Sequence, residues 1–147
     1  MAKFQDLEDA GKVIADHLEI YRKDPDAGHD YFAGGHPIIA LLLSAKGRKS
    51  GTVRTLPLIY KKIGDAYVIV ASKGGLPDHP MWYKNLVANP DCEIQVRREH
   101  IKVRARTAAG DERQRLWEEM AEAYPPYKEY QKRTTREIPV VVLEQRD

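Results

Sequence analysis

The stretch Ser44 to Leu58, SAKGRKSGTVRTLPL, constrains this chain most. It sets a basic, glycine-bounded turn, Lys46-Gly47-Arg48-Lys49-Ser50-Gly51, between two apolar runs, IIALLLSA over Ile38–Ala45 and VRTLPLIY over Val53–Tyr60. Two apolar runs joined by a short Gly-bounded segment predict a β-hairpin. Its tip gathers Lys46, Arg48 and Lys49 beside small residues and backbone N–H groups, with Arg54 following on the second run. Such a tip is able to cradle an anion. It is not a Walker loop, because the glycine four residues before a Gly-Lys-Ser/Thr triplet is missing. A solvated turn has the same look, so the reading needs a second element.

That element is Ala71-Ser72-Lys73-Gly74-Gly75, which follows the strand-like Tyr67-Val68-Ile69-Val70. A helix is expected next, over Pro80–Ala88, with Asp78 or His79 as its cap and Pro80 where a missing N–H costs nothing. Glycine-rich turns and helix N-termini favour negative charge. Two such places in one small chain point to a phosphate-bearing ligand.

The pieces GRKSG-x-x-R-x-x-PL, ASKGG, HPMWYKNLxANP and YPPYxxYQxRTxRxIPVVVLE stand in that order between about Ile38 and Glu144. Together they resemble the deazaflavin (F420)-dependent nitroreductases, small actinobacterial reductases of quinones and nitro compounds. The resemblance implies a split β-barrel of the flavin-binding type with coenzyme F420 as cofactor. Carried over by position, the cofactor-side residues are Arg48, Lys49, Ser50, Arg54 and Pro57 in the hairpin, Ser72, Lys73, Gly74 and Gly75 in the turn, and Trp82 and Asn85 in the helix. Ser72 also matches a family serine near the substrate, and Tyr124, Tyr127 and Tyr130 match tyrosines that line the substrate side of the deazaflavin.

The residues themselves support one soluble domain of α+β, mainly β, type. With 147 residues, 42% hydrophobic and 31% charged, the chain can build one real core. Net charge is only +2, yet Lys46 to Lys62 holds six basic residues and no acidic one. Local excess of that kind suits an anionic small molecule better than a polymer. The single cysteine, Cys92, excludes an internal disulfide and fits a reducing cytoplasm. No signal peptide is evident, and no apolar run approaches the roughly 18 residues of a membrane span.

Along the chain, Phe4, Leu7, Ile14, Leu18 and Tyr21 recur at helical spacing, so Phe4 to Tyr21 is expected as an amphipathic helix packed on the domain. Peripheral contact of this helix with a membrane surface stays open, although Asp6, Glu8, Asp9, Asp16 and Glu19 oppose it near anionic lipid. Asp24–His36 is expected as a loop. We therefore divide the single domain into residues 1–36, helix and loop, and 37–147, the cofactor-binding barrel. Strands are expected at Ile38–Ala45, Val53–Lys61, Ala66–Ser72, Glu93–Arg97, Ile101–Thr107 and Ile138–Leu143. Asp111 with Gln114 suggests a capping box opening a helix over Glu112–Ala123. Short antiparallel strands with helices suggest a small barrel.

Tyr124, Tyr127 and Tyr130 recur every third residue and share one side if the chain turns helically after Pro125-Pro126. Each offers an apolar face and a hydroxyl; read alone, the pattern fits a half-buried cluster as well as a substrate pocket. Trp82 fits a core anchor as well as a cofactor contact. His29 and His36 with Asp26 or Asp30 lack a second ligand pair at zinc spacing, so no metal is expected. His17, His79 and His100 have no partner that would make a triad.

An F420-type cofactor needs cationic and N–H groups for its phosphate and acidic tail, a flat apolar slot, and one open ring face. Arg48, Lys49 and Arg54 suit the anionic part, with Lys73 and the Gly74-Gly75 backbone assisting. The expected reaction is hydride transfer from reduced deazaflavin to a quinone, activated enone or nitroaromatic. An FMN-binding split-barrel oxidoreductase would use the same anion-binding residues and stands as an alternative. A non-catalytic module for nucleic acid or anionic lipid is the other, weakened because Tyr60 is the only aromatic in the basic strip. The partner is then a small electron acceptor, not nucleic acid, and the protein a monomer or homodimer.

Overall fold

A computed structural model describes the backbone of residues 4–33 and 35–147 and the side chains from residue 11 onward, residue 34 excepted. Six strands close on themselves: β2 (His36–Lys46), β3 (Val53–Ile63), β4 (Ala66–Val70), β5 (Asp91–Val96), β6 (Glu99–Thr107) and β7 (Val140–Gln145). Their order around the barrel is β2-β3-β4-β7-β6-β5, with β5 pairing back to β2, and every pairing is antiparallel. A short edge strand, β1 (Asp30–Ala33), pairs with the first residues of β2.

The alternation of side chains explains the closure. Leu41, Leu43 and Ala45 of β2 point into the barrel, where they meet Tyr60, Tyr67, Ile69, Ile94, Ile101, Val103 and Leu143. Ile38, Ala40 and Leu42 of the same strand point outward, into a second core with Val68, Val70, Val140 and Val142. That outer core is covered by Leu116, Trp117 and Met120 of helix α4 (Gly110–Ala123) and by Tyr127 of helix α5 (Pro126–Lys132). Both faces of β2 are buried, so its sequence reads as a continuous apolar run instead of alternating. In β5 and β6 only the inner face is covered, and Ile94, Ile101 and Val103 alternate with exposed residues as expected.

Helix α1 (Phe4–Lys23) packs on the barrel, as its pattern predicts. Tyr21 is fully buried, and its hydroxyl is shared between the carbonyls of Ala40 (3.0 Å) and Gln95 (3.2 Å) while accepting from Arg97 N–H (2.9 Å). Those three groups lie on the β2–β5 seam and its continuation, so one side chain ties the helix to the closure. Ile14, expected on the buried stripe, is exposed together with Val13 and Ile20; Phe4 and Leu7 lie outside the described side chains.

Several expected boundaries shift. Asp24–His36 is not all loop: helix α2 (Pro25–His29) and β1 fall inside it. Pro25 opens α2, the Asp24 carboxylate accepts from Ala27 N–H, and β1 is held by the edge of β2 and by Tyr31 stacking on His17 at 3.7 Å. The β5–β6 turn falls at Arg97-Arg98, where Arg97 takes a left-handed φ of 54°. β7 begins at Val140, two residues late, because Ile138 is engaged by Arg113 and Gln131 side chains. The expected caps are replaced. Helix α3 (Met81–Ala88) starts after Pro80 without a side-chain cap, and α4 starts after Ala109, with Gly110 at φ 60°. Asp78 instead pairs with Lys84, and Gln114 reaches Glu118.

Tyr21→Phe removes the hydroxyl that ties the Ala40 and Gln95 carbonyls to the Arg97 N–H, of which the Ala40 contact is buried and the other two part-buried. We expect it to lower unfolding stability by about 1–3 kcal/mol, read as a lower urea midpoint at unchanged slope; an unchanged midpoint would show that the seam closes without α1.

Candidate active site

The antiparallel order fixes which loops share an end of the barrel. β2, β4 and β6 run one way, so Lys46, Val70 and Thr107 emerge together, beside the starts of β3, β7 and β5. The basic hairpin tip and the Ser72–Gly75 turn therefore sit at the same end. Helix α3 lies over it: Leu86, Trp82 and Tyr83 pack on the barrel interior, and Tyr83 Oη bonds Thr107 Oγ1 at 2.8 Å.

The tip is joined to α3 through one side chain. Asn85, 8% exposed, accepts from Arg48 N–H (3.1 Å) and from Arg48 Nη1 (3.0 Å) through its Oδ1, and Arg48 Nη1 also contacts Met81 Sδ at 3.3 Å. Ser50 Oγ accepts from Thr52 N–H, closing the tip. Lys49 and Arg54 are exposed, and Pro57 is buried on β3 opposite Leu42. β4 pairs with β3 only over Tyr60–Ile63, so Val53–Ile59 has no strand on that side. Proline is tolerated in β3 for that reason. Among the described residues no carboxylate pairs with Lys46, Arg48, Lys49, Arg54 or Lys73.

The second turn is backbone in an unusual state. Lys73, Gly74 and Gly75 have φ of 47°, 60° and 79°, three left-handed residues in succession. Gly75 is buried against α5, where a Cβ would run into the Tyr130 carbonyl. Arg133 Nη1 reaches Gly74 O at 3.4 Å, and the Arg136 guanidinium reaches the carbonyls of Ala71, Ser72 and Leu76. Burial and the neighbouring Arg136 hold the His79 imidazole below its ordinary pKa.

Of the three tyrosines, Tyr127 is 3% exposed and packs on Trp117 in the outer core. Tyr124 and Tyr130 line a cavity of about 460 Å³ with His36, Pro125, Pro126, Glu129 and Arg133. Their rings lie 6.4 Å apart, and His36 meets Tyr124 edge-on at 5.7 Å. Burial first, and a hydrogen bond with Tyr130 second, raise the Tyr124 hydroxyl far above its usual pKa. It is a hydrogen-bond donor at neutral pH and a weak acid. Arg133, Arg136 and His36 are the residues that sequence reasoning did not assign; the two arginines stand inside the motif YQxRTxRxIPVV, whose spacing alone gives them no partner.

The remaining candidates have other roles. No cluster of three or more metal-ligating side chains occurs among the described residues. His29 bonds Asp30 and Tyr60, each at 2.7 Å, and Asp30 is further held by Arg97, below a cavity of about 590 Å³ lined by Phe32, Ile38, Ile39 and Ile59. His17 bonds Gly28 O.

The comparisons with known proteins bear on this geometry. Residues 15–145 match the family model described as F420H(2)-dependent quinone reductase. The chain belongs to that family. A relative named F420H(2)-dependent quinone reductase, from Mycobacterium tuberculosis, is 47% identical over 133 residues, covering 88% of each chain. A solved structure of an F420-H2 dependent reductase, FDR-A, is 43% identical with a TM-score of 0.67, covering 71% of this chain and 93% of that one. Another, described as a domain-swapped dimer, has the same identity and TM-score and covers 71% and 79%. The barrel of this F420H(2)-dependent quinone reductase family member is the split β-barrel that its motifs imply.

Burial pushes the thiol of Cys92, inside the barrel, up to about 11. Buried and held largely as the thiol, it is poorly placed for a nucleophilic role, since the thiolate is the reactive form. In native protein at pH 8 we expect Cys92 to react with a disulfide reagent at least about 100-fold more slowly than in urea-unfolded protein; equal rates would place the thiol outside the core.

Proposed function

We propose that this chain is an F420-dependent reductase that passes a hydride from reduced deazaflavin to an electron-poor acceptor, a quinone, activated enone or nitroaromatic. The observation that carries the reading is a set of cations, Arg48, Lys49, Arg54 and Lys73, with no carboxylate partner among the described residues, at one barrel end of a member of this family. The donor set fits a flat, polyanionic cofactor: arginine forks and lysine for phosphate and carboxylate, and half-buried Trp82 beside exposed Met81 for an apolar ring edge. When bound, the deazaflavin supplies the hydride.

The protein's share is placement. Arg48, Lys49 and Arg54, with the Ser50 hydroxyl, hold the anionic part from the hairpin side, and Lys73 with the Gly74-Gly75 backbone from the turn side. Asn85 fixes the Arg48 fork, and Pro57 stiffens the strand edge. Ser72, Tyr124 and Tyr130 donate hydrogen bonds to an acceptor oxygen or nitro group, while Tyr127 supports the other two tyrosines from the core. The raised Tyr124 hydroxyl is a poor proton source, which favours water as the donor that accompanies the hydride. The division into 37–147, the cofactor-binding barrel, and 1–36 is kept within one domain, with α1 and α2 covering the barrel and β1 and His36 extending its sheet. Cytoplasmic location fits, with no described helix long and apolar enough to cross a membrane. Exposed Val13, Ile14 and Ile20 leave α1 able to touch a membrane surface peripherally, and a monomer or homodimer serves the reading equally.

Titration with F420 at micromolar protein should change the cofactor's fluorescence, and FMN should neither bind tightly nor co-purify. Arg54→Ala should weaken F420 binding by roughly 1.5–3 kcal/mol through loss of a charge-assisted bond. Unchanged fluorescence would remove the reading, and a yellow protein with a flavin spectrum would replace F420 by FMN.

A further inference from the structure

We infer that Arg136 is a positioning residue of this site: its guanidinium fork fixes the Ala71–Leu76 turn against helix α5, so that the cofactor turn and the Tyr124–Tyr130 face form one body. The inference rests on the reductase reading and adds to it a residue with no place in the contacts proposed there.

Arg136 is half-buried and gives its donors to neutral acceptors alone. Nε bonds Leu76 O at 2.9 Å, Nη1 bonds Ala71 O at 3.2 Å and His79 Nδ1 at 3.1 Å, and Nη2 bonds Ser72 O at 2.6 Å. Arginine only donates, so His79 accepts at Nδ1 and carries its proton on Nε2. No carboxylate of the described residues pairs with the guanidinium; Asp78, whose charge it feels, is held by Lys84 at 2.8 Å. Burying a cation without a counter-ion is costly. A side chain kept for packing alone would be better neutral.

The turn explains why a fork is needed. Three successive left-handed residues, one of them Lys73, are strained for L side chains. Its own bonds are few: Gly75 N–H to Ser72 O at 3.0 Å and Leu76 N–H to Lys73 O at 3.1 Å. The carbonyls of Ala71, Ser72 and Leu76 flank the left-handed residues, and one planar guanidinium bonds all three. From the same segment, Arg133 bonds Gly74 O and the Tyr130 backbone closes on Gly75. Movement of the turn would therefore move α5 and the tyrosines it carries. The guanidinium charge, paired with no carboxylate among the described residues, also adds to the field that an anion at Lys73 would meet.

The test compares Arg136→Lys, which keeps the charge and loses the fork, and Arg136→Gln, which loses both, with Arg104→Gln on an exposed ion pair as control. Both Arg136 variants should raise the F420 dissociation constant about tenfold or more. Their kcat for a soluble quinone at saturating F420 should stay within about threefold, with melting temperatures within a few degrees of the parent. Without cofactor, the Gly75 and Leu76 amides should exchange faster in both. The control should match the parent in each measurement. A folded Arg136→Lys protein with parental F420 affinity and parental exchange overturns the inference, and it decides alone if Arg136→Gln does not fold. Should the parent itself not bind F420, the reductase reading falls, while the exchange rates still decide whether Arg136 holds the turn.

Discussion

The structure depends on burial of both faces of β2. One face fills the barrel and the other seats α4 and α5, so β2 cannot slip by a single residue without exchanging its two cores. With that register fixed, β5 closes on β2, and the antiparallel order sends the β2–β3 tip and the end of β4 to one end. The site is a consequence of strand direction, and no long-range attraction between the two basic segments is required to bring them together.

Charge is handled differently at the hairpin tip and the 71–76 turn than along β5 and β6. Arg97 and Arg98 are matched by Asp26 and Asp30, Arg104 by Asp91, and Arg106 by Glu112 and Glu144. These exposed pairs each contribute little to stability, but they leave no net demand for an anion. At the hairpin tip and the 71–76 turn, Lys46, Arg48, Lys49, Arg54 and Lys73 pair with no carboxylate among the described residues; Arg48 is held by Asn85 and Met81. A surface kept unneutralised in this way repels itself when empty and gains when an anion arrives. It is the physical counterpart of membership in a family named for an acidic deazaflavin.

How much of this was legible in the sequence follows from how local each determinant is. The Ile38–Ala45 and Val53–Tyr60 runs, bounded by Gly47 and Gly51, carry the hairpin in their own residues, and the ASKGG turn is equally local. The barrel followed from ordered motifs that resemble the family, and the same motifs supply the proposed cofactor-side residues. Arg136 was not legible, because its partners lie 57 to 65 positions away and, apart from His79, are carbonyls, which have no sequence signature. β1 was missed because DYFA is short and stands inside the turn-rich stretch Asp24–His36; the edge of β2 and the His17 ring make it a strand. Spacing placed the three tyrosines together, but it did not separate Tyr127, turned to Trp117, from Tyr124 and Tyr130 at the cavity. Caps failed at α3 and α4 because Lys84 and Glu118 engaged the side chains that local pattern reserved for the helix ends.

The central claim is that the tip, helix α3 and the left-handed turn act on one bound molecule. Backbone amide shifts recorded on adding F420 to isotope-labelled protein test it most directly. The account predicts that the perturbations cluster at Arg48–Gly51, Ser72–Gly75, Trp82–Asn85 and Tyr130. Perturbations confined to the opposite end, around Asp30, Ile39 and Tyr60, would contradict it.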